Sequence, residues 1–192
     1  MRRMRLPFTP ALPIQTERLS LREFRPEDFD ALLPFHSDPA NVLYVPFGPR
    51  TPEEMRGALD RKVAATSLAD AGDHLDLAVA LQDGPVVGDL VVMLHVVEHD
   101  TVEVGWIFDP AHGGHGYATE AVRALLELVF DSLQARRVVA RVDARNTASL
   151  RLCERVGMRP EAHLVENEVF KGELSSEIDY ALLSREWPVA AS

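Results

Sequence analysis

Residues 109–122 read D-P-A-H-G-G-H-G-Y-A-T-E-A-V and lie between two segments of different period. Thr101–Phe108 alternates as a strand does, and residues 117–133 repeat their apolar positions as an amphipathic helix does. Gly113, Gly114 and Gly116 leave the turn between them with little side chain, so backbone N–H groups can turn inward and a ligand can approach closely. The helix that follows aims its unpaired N-terminal N–H groups, and the positive end of its dipole, at the same spot. Strand, glycine turn and helix start together make an anion site, most naturally for a phosphate or pyrophosphate. A tight turn with no ligand is the other reading of the same residues. Two phosphate-binding forms are excluded: the chain has no G-x-x-x-x-G-K-[ST], and no G-x-G-x-x-G with an acidic ribose-binding residue beyond it.

With 192 residues, 46% of them hydrophobic, the chain can bury one good core, so one domain is expected over residues 16–187. Thirty acidic residues against twenty basic ones give a net charge of −10. That balance argues against nucleic acid as a partner and leans toward cationic or amine-bearing ones. The single cysteine, Cys153, excludes an internal disulfide and fits a reducing, cytoplasmic setting. No apolar run is long enough to span a bilayer, so no membrane partner is expected. The basic start is broken by Pro7, Pro10 and Pro13 and lacks the apolar centre of a signal peptide. Residues 1–15 are therefore expected to form an irregular arm, and residues 188–192 a tail.

Residues 16–25 read as a first strand. Pro26, Glu27 and Asp28 open a helix that ends near His36. Residues 37–50 hold three prolines among apolar residues and read as an ordered loop covering something, or as a surface loop pinned by a few contacts. Thr51, Pro52, Glu53 and Glu54 form a capping pattern for a second helix running to about residue 68. Three strands linked by tight turns follow, at 75–81, 86–97 and 101–108, an antiparallel meander. Beyond the glycine turn and its helix, Arg137–Asp143 reads as a strand able to run parallel to 101–108. Asn146 caps a further helix closed by Gly157, and two final strands, 158–168 and 175–183, flank the Lys171-Gly172 turn.

This order of elements resembles the GNAT superfamily of acyl-CoA-dependent N-acetyltransferases. The resemblance rests on Gly114-His115-Gly116-Tyr117-Ala118-Thr119-Glu120-Ala121, on residues 146–158 (N-T-A-S-L-R-L-C-E-R-V-G-M), and on the preceding strand V-E-V-G-W-I-F-D-P. The opening T-E-R-L-S-L-R-E and the ending E-N-E-V-F-K-G-E … D-Y-A-L-L-S-R-E-W are similar to the RimJ/RimL-like branch, which acetylates N-termini of ribosomal proteins. The implied fold is α+β: a twisted, mostly antiparallel sheet of about seven strands, with a splayed parallel pair at the cofactor site and about four helices. The family pattern at the turn is Q/R-x-x-G-x-G/A. Ala111 replaces its first residue here, which removes one side-chain tie but no backbone donor.

The resemblance implies acetyl-CoA as co-substrate, a primary amine as acceptor, and a homodimer as one possible assembly. Backbone N–H groups from Gly114 to Ala118, including those of His115, Gly116 and Tyr117, would hold the pyrophosphate, helped by the Thr119 hydroxyl. The strand edge at Trp106, Ile107 and Phe108 would pair with the pantetheine amides like an added strand. Glu103 is the candidate general base, as the only carboxylate in the strand feeding the turn. It shares a face with Gly105 and Ile107, where partial burial would suit a base at neutral pH. The acid that protonates the thiolate is Ser149 by resemblance. Cys153, four residues on, holds the position where many GNAT enzymes carry Tyr, and reads otherwise as a small buried hydrophobe. Asn146 is a helix cap, a pantetheine contact, or both. The histidines lack the three or four converging ligands that zinc needs, so no metal is expected. A non-catalytic acyl-CoA-binding regulatory module is the alternative function.

Overall fold

The computed structural model describes residues 3–187, and the expected tail at 188–192 lies outside the described residues. One eight-stranded sheet runs in the order β1-β2-β3-β4-β5-β6-β8-β7. Its strands are β1 Ile14–Gln15, β2 Leu19–Arg22, β3 His74–Leu81, β4 Val86–Val96, β5 Thr101–Phe108, β6 Arg137–Asp143, β7 Arg159–Phe170 and β8 Glu173–Leu183. Four α-helices flank it: α1 Phe29–Ser37, α2 Pro52–Ala64, α3 Tyr117–Glu127 and α4 Thr147–Arg155.

The strand beyond the expected seven is β1. Ile14 pairs with Leu21 and Gln15 with Ser20, so the end of the proline-broken arm adds an edge to the sheet. Upstream, the arm is tied down by a two-way backbone bridge between Phe8 and Leu68 (2.7 and 2.9 Å). The helix expected at 117–133 keeps α-geometry to Glu127 and closes through one π-turn, in which the Leu133 N–H reaches the Leu128 carbonyl (3.0 Å). Among the described residues no helix is long and apolar enough to cross a membrane.

Alternation along β5 sends its residues into two separate cores. Val102 and Val104 pack with Leu125 and Leu126 on the α3 side. Ile107 packs with Phe35, Met55 and Leu59 on the α1–α2 side. Glu103 and Gly105 share the parity of Ile107, as the sequence alternation predicts, and so belong to the α1–α2 side. Among the described residues the only parallel pair is β5 with β6, and its register stops at Glu103↔Val139. Past that point the two strands are unpaired and a gap opens between them.

The loop at residues 38–50 covers that gap. Val42 is buried at 1% exposure, and Asn41 donates to the carbonyls of Phe35 (2.9 Å) and Phe108 (3.2 Å). The Lys171 ammonium, from the β7–β8 turn, donates to the Val42 (2.5 Å) and Leu43 (3.3 Å) carbonyls. At the loop's end Thr51 and Glu54 form the reciprocal capping box that the sequence predicts, each side chain accepting from the other's backbone N–H. Removing the cap with Thr51→Ala is expected to cost about 1 kcal/mol of stability, read as a lower urea midpoint.

Candidate active site

The glycine turn is built by local bonds. Asp109 accepts from the Ala111 N–H (2.9 Å) and holds the His112 ring (2.9 Å), which starts the turn off the end of β5. Gly114 (φ +78°) and Gly116 (φ +80°) then take left-handed conformations that side-chain-bearing residues rarely adopt. Gly116 is the N-cap of α3, and the first N–H to bond back is that of Glu120, to the Gly116 carbonyl (3.1 Å). The N–H groups before it are the unpaired donors of a helix N-terminus. A cavity of about 400 Å³ lies against this turn, lined by Phe108, Gly114, Gly116, Tyr117, Ala118 and Thr119. Arg155 lines it as well and donates to the Thr119 hydroxyl (3.2 Å), adding a positive charge to the site. Next to Gly114 an added Cβ would meet nothing within 4 Å, so the cradle is open there. His115 lies outside this lining. Its ring stacks on Tyr117 with centroids 5.4 Å apart.

A second cavity, of about 260 Å³, occupies the gap between β5 and β6. Glu103, Trp106, Ile107, Asn146 and Ser149 all line it. The Trp106 indole N–H donates to the Ser149 hydroxyl oxygen across the gap (3.1 Å), which leaves the Ser149 proton free to donate elsewhere. Asn146 caps α4 by accepting from the Ser149 N–H (3.2 Å), so cap and cavity share one residue. Phe108 lies over Gly88 so closely that a Cβ there would meet its ring at 2.4 Å. The end of β5 thus runs from one cavity, at Trp106 and Ile107, to the other, at Phe108.

Glu103 is 20% exposed, and its carboxylate lies 3.7 Å from both Arg141 and His95. It is a partly buried acid facing two basic side chains. The Cys153 thiol is fully buried, lines neither cavity, and is pushed by that burial up to about 12.

Two groups of residues escaped the sequence reading. Arg18 and Thr16 grip Glu120: the carboxylate accepts from the Thr16 hydroxyl (2.6 Å), the Arg18 N–H (2.9 Å) and the Arg18 guanidinium (2.7 Å). Burial opposes the Glu120 charge, but Thr16 and Arg18 together hold it below the usual carboxylate range. Arg18 also donates to the His115 carbonyl (2.8 Å), so the turn between β1 and β2 clamps the glycine turn. The opening T-E-R-L carries this signal only when read together with a glutamate in the first turn of α3.

The second group lies under the gap. The Lys62 ammonium sits between Asp76 (2.7 Å) and Asp89 (2.8 Å), with the His36 imidazole 3.4 Å from Asp89. Arg50 donates to His36 Nδ1 (3.2 Å), which places the ring proton on Nε2, 3.4 Å from Asp89 but without a hydrogen bond to it. Burial works against the Lys62 charge, yet Asp89 and Asp76 raise it above an ordinary lysine. Burial pushes His36 below the usual histidine range against the pull of Asp89. Aspartates inside the apolar runs of β3 and β4 were the available signal. Among the described residues no cluster of three or more His, Cys, Asp or Glu is placed to hold a metal ion.

The sequence profile of the acetyltransferase (GNAT) domain matches residues 18–159, most of the chain, from Arg18 through β2 and α4 to the start of β7. The chain belongs to the GNAT family. It is 32% identical over 176 residues to YnaD, an uncharacterized N-acetyltransferase of Bacillus subtilis (strain 168), covering 91% of this chain and 98% of that protein. A GNAT-family acetyltransferase from Bacillus anthracis superposes with a TM-score of 0.82 at 31% identity, over 91% of this chain and 100% of its own. The spermidine N-acetyltransferase from Vibrio cholerae, solved with CoA and spermine, shares the fold at 19% identity (TM-score 0.75, 89% and 98% covered). The protein is therefore an N-acetyltransferase, and acetyl-CoA is the acetyl donor of its family.

The residues present fit that donor. Left-handed glycines, an open cradle, helix N–H donors and Arg155 suit the pyrophosphate. The unpaired edge of β5 beyond Glu103 has the free backbone groups a pantetheine arm needs. Arg18→Ala in this acetyltransferase is expected to raise the KM for acetyl-CoA severalfold with kcat nearly unchanged, because the clamp acts on the turn rather than on the reacting atoms. Steady-state thiol release against acetyl-CoA concentration checks this.

Proposed function

We propose that this acetyltransferase acetylates an uncharged primary amine, best represented by a peptide or protein N-terminus of the kind the RimJ/RimL-like branch accepts. Acetyl-CoA supplies the activated acetyl group. Glu103 takes the proton that the amine nitrogen loses as its bond to the acetyl carbon forms. The Ser149 hydroxyl gives a proton to the sulfur as the carbon–sulfur bond breaks, and is reprotonated from solvent. Trp106 holds the Ser149 oxygen by its lone pair, so the hydroxyl proton is presented to the cavity. Asn146 fixes the start of α4, and hence Ser149. The turn from Gly114 to Thr119, with Arg155, grips the pyrophosphate. Cys153 has no part, since its thiol is fully buried and lines neither cavity, whereas Ser149 faces the gap.

The observation that carries this reading is convergence: Glu103 and the Trp106–Ser149 bridge line one cavity, and β5 leads from it directly to the glycine turn. Calorimetric titration with acetyl-CoA, followed by a panel of amines and short peptides under a free-thiol assay, tests it. Tight binding with thiol release on adding an acceptor supports the transfer. Tight binding with no release across the panel overturns it and leaves an acyl-CoA-binding regulatory module. No binding overturns the assignment of the glycine turn.

A further inference from the structure

Three carboxylates line the gap cavity, and each already has a cation. Asp89 is paired with Lys62 at 2.8 Å, Glu103 with Arg141 at 3.7 Å, and Asp143 with Arg145 at 2.7 Å. Asp143 is engaged further by the Ser175 hydroxyl (2.8 Å). Every carboxylate on the cavity wall is therefore engaged by a cation, with Lys62 shared between Asp89 and the Asp76 behind it, although the chain as a whole carries −10. Apart from Asn146 and Ser149 the remaining walls of the cavity are mainly apolar: Val45 and Phe47 from the loop, Val91 and Met93 from β4, Ile107 from β5 and Val142 from β6. Phe47 is clamped between the His36 ring (centroids 5.4 Å apart) and the Arg50 guanidinium (3.9 Å), and Lys171 pins the loop from the other side, so this wall is preformed. At about 260 Å³ the cavity is below the ~300–1,000 Å³ of pockets that enclose drug-sized ligands.

We infer, on the reading proposed above, that the acceptor is a monoamine whose flank is small, uncharged and apolar, and that acceptors with a second ammonium near the reacting nitrogen are rejected. A second ammonium entering this cavity loses water and meets no free carboxylate. Seating it beside Asp89 would displace the buried Lys62 ammonium, and beside Glu103 or Asp143 it would compete with an arginine already in place. An aliphatic group entering the same space covers apolar wall and disturbs none of them. The acidic surface attracts cations to the outside of the protein but does not extend into the gap. The same flank chemistry has two sources, a free aliphatic amine and a peptide beginning with an aliphatic residue.

The test is kcat/KM by thiol release at saturating acetyl-CoA for isoamylamine, a leucine-first tripeptide amide, a lysine-first tripeptide amide and spermidine. The expected result is that isoamylamine or the leucine-first peptide exceeds both polycations by about tenfold or more, equivalent to ~1.4 kcal/mol in the transition state. Which of those two leads distinguishes a free amine from a peptide. Val45→Glu adds an unpaired carboxylate to the cavity wall from a loop position outside the helices and strands. It is expected to move the preference toward spermidine by about tenfold while the far-ultraviolet circular dichroism is unchanged. Spermidine or the lysine-first peptide matching the aliphatic acceptors overturns the inference and leaves the transfer reaction intact. Release with none of the four, despite acetyl-CoA binding, overturns the transfer reaction itself.

Discussion

Glu103→Gln is expected to lower kcat by ~10²–10⁴-fold, the usual contribution of a positioned general base. The KM for acetyl-CoA should stay within about twofold, because Glu103 touches nothing on the glycine turn and its loss removes no uniform binding. Glutamine keeps the shape and the hydrogen-bonding oxygen but cannot take the proton. Stability should change little, since Glu103 is 20% exposed and its partner Arg141 is 45% exposed and remains hydrated. Steady-state thiol release measures kcat and KM, and urea unfolding measures the stability. A kcat within threefold of the parent would show that the amine loses its proton to solvent and that Glu103 only balances Arg141.

The parts of this site legible in the sequence are those fixed by neighbours a few residues away. The glycine turn, the bounds of β5, the alternation that sends Glu103 to the face of Ile107, and the Asn146 and Thr51 caps depend on local geometry, and the structure agrees with each. What the sequence does not reveal comes from pairs distant along the chain. Arg18 and Glu120 are 102 positions apart, and Trp106 and Ser149 are 43 apart. Periodicity shows that Trp106 lies opposite Glu103. It does not show that β6 diverges after Val139 and lets the indole reach across to α4. The strand β1 was missed because two residues give no alternation to detect. The lean toward cationic partners came from summing charge over the whole chain, whereas the cavity depends on which charges are paired within it.

Lys62→Met is expected to be the most destabilising of the substitutions considered, by ~3–5 kcal/mol at pH 7, because it strands two buried carboxylates at once. Methionine fills most of the space that the lysine stem occupied, so the loss is electrostatic rather than a cavity. In the parent, burial opposes the Asp89 charge but Lys62 and His36 hold the group below the ordinary aspartate range. The stability this contributes is present above the unfolded value of ~3.9 and is lost as pH falls through the folded one. Asp76 has the opposite sign: burial raises it despite Lys62, so its contribution is lost as pH rises. Without Lys62 both acids shift upward, and the variant regains stability as pH falls from neutrality toward ~4, where both are protonated in the folded state. The gap between parent and variant should therefore be widest at pH 7 and clearly smaller at pH 5, measured by urea unfolding at each. Adding Asp89→Asn to Lys62→Met removes one stranded charge and should recover part of the loss, with a non-additive gain because the two side chains touch. A gap below ~1 kcal/mol at pH 7, or one that does not narrow at pH 5, would mean that water or His36 already neutralises the acids. The charge balance of the acceptor cavity would then not depend on Lys62.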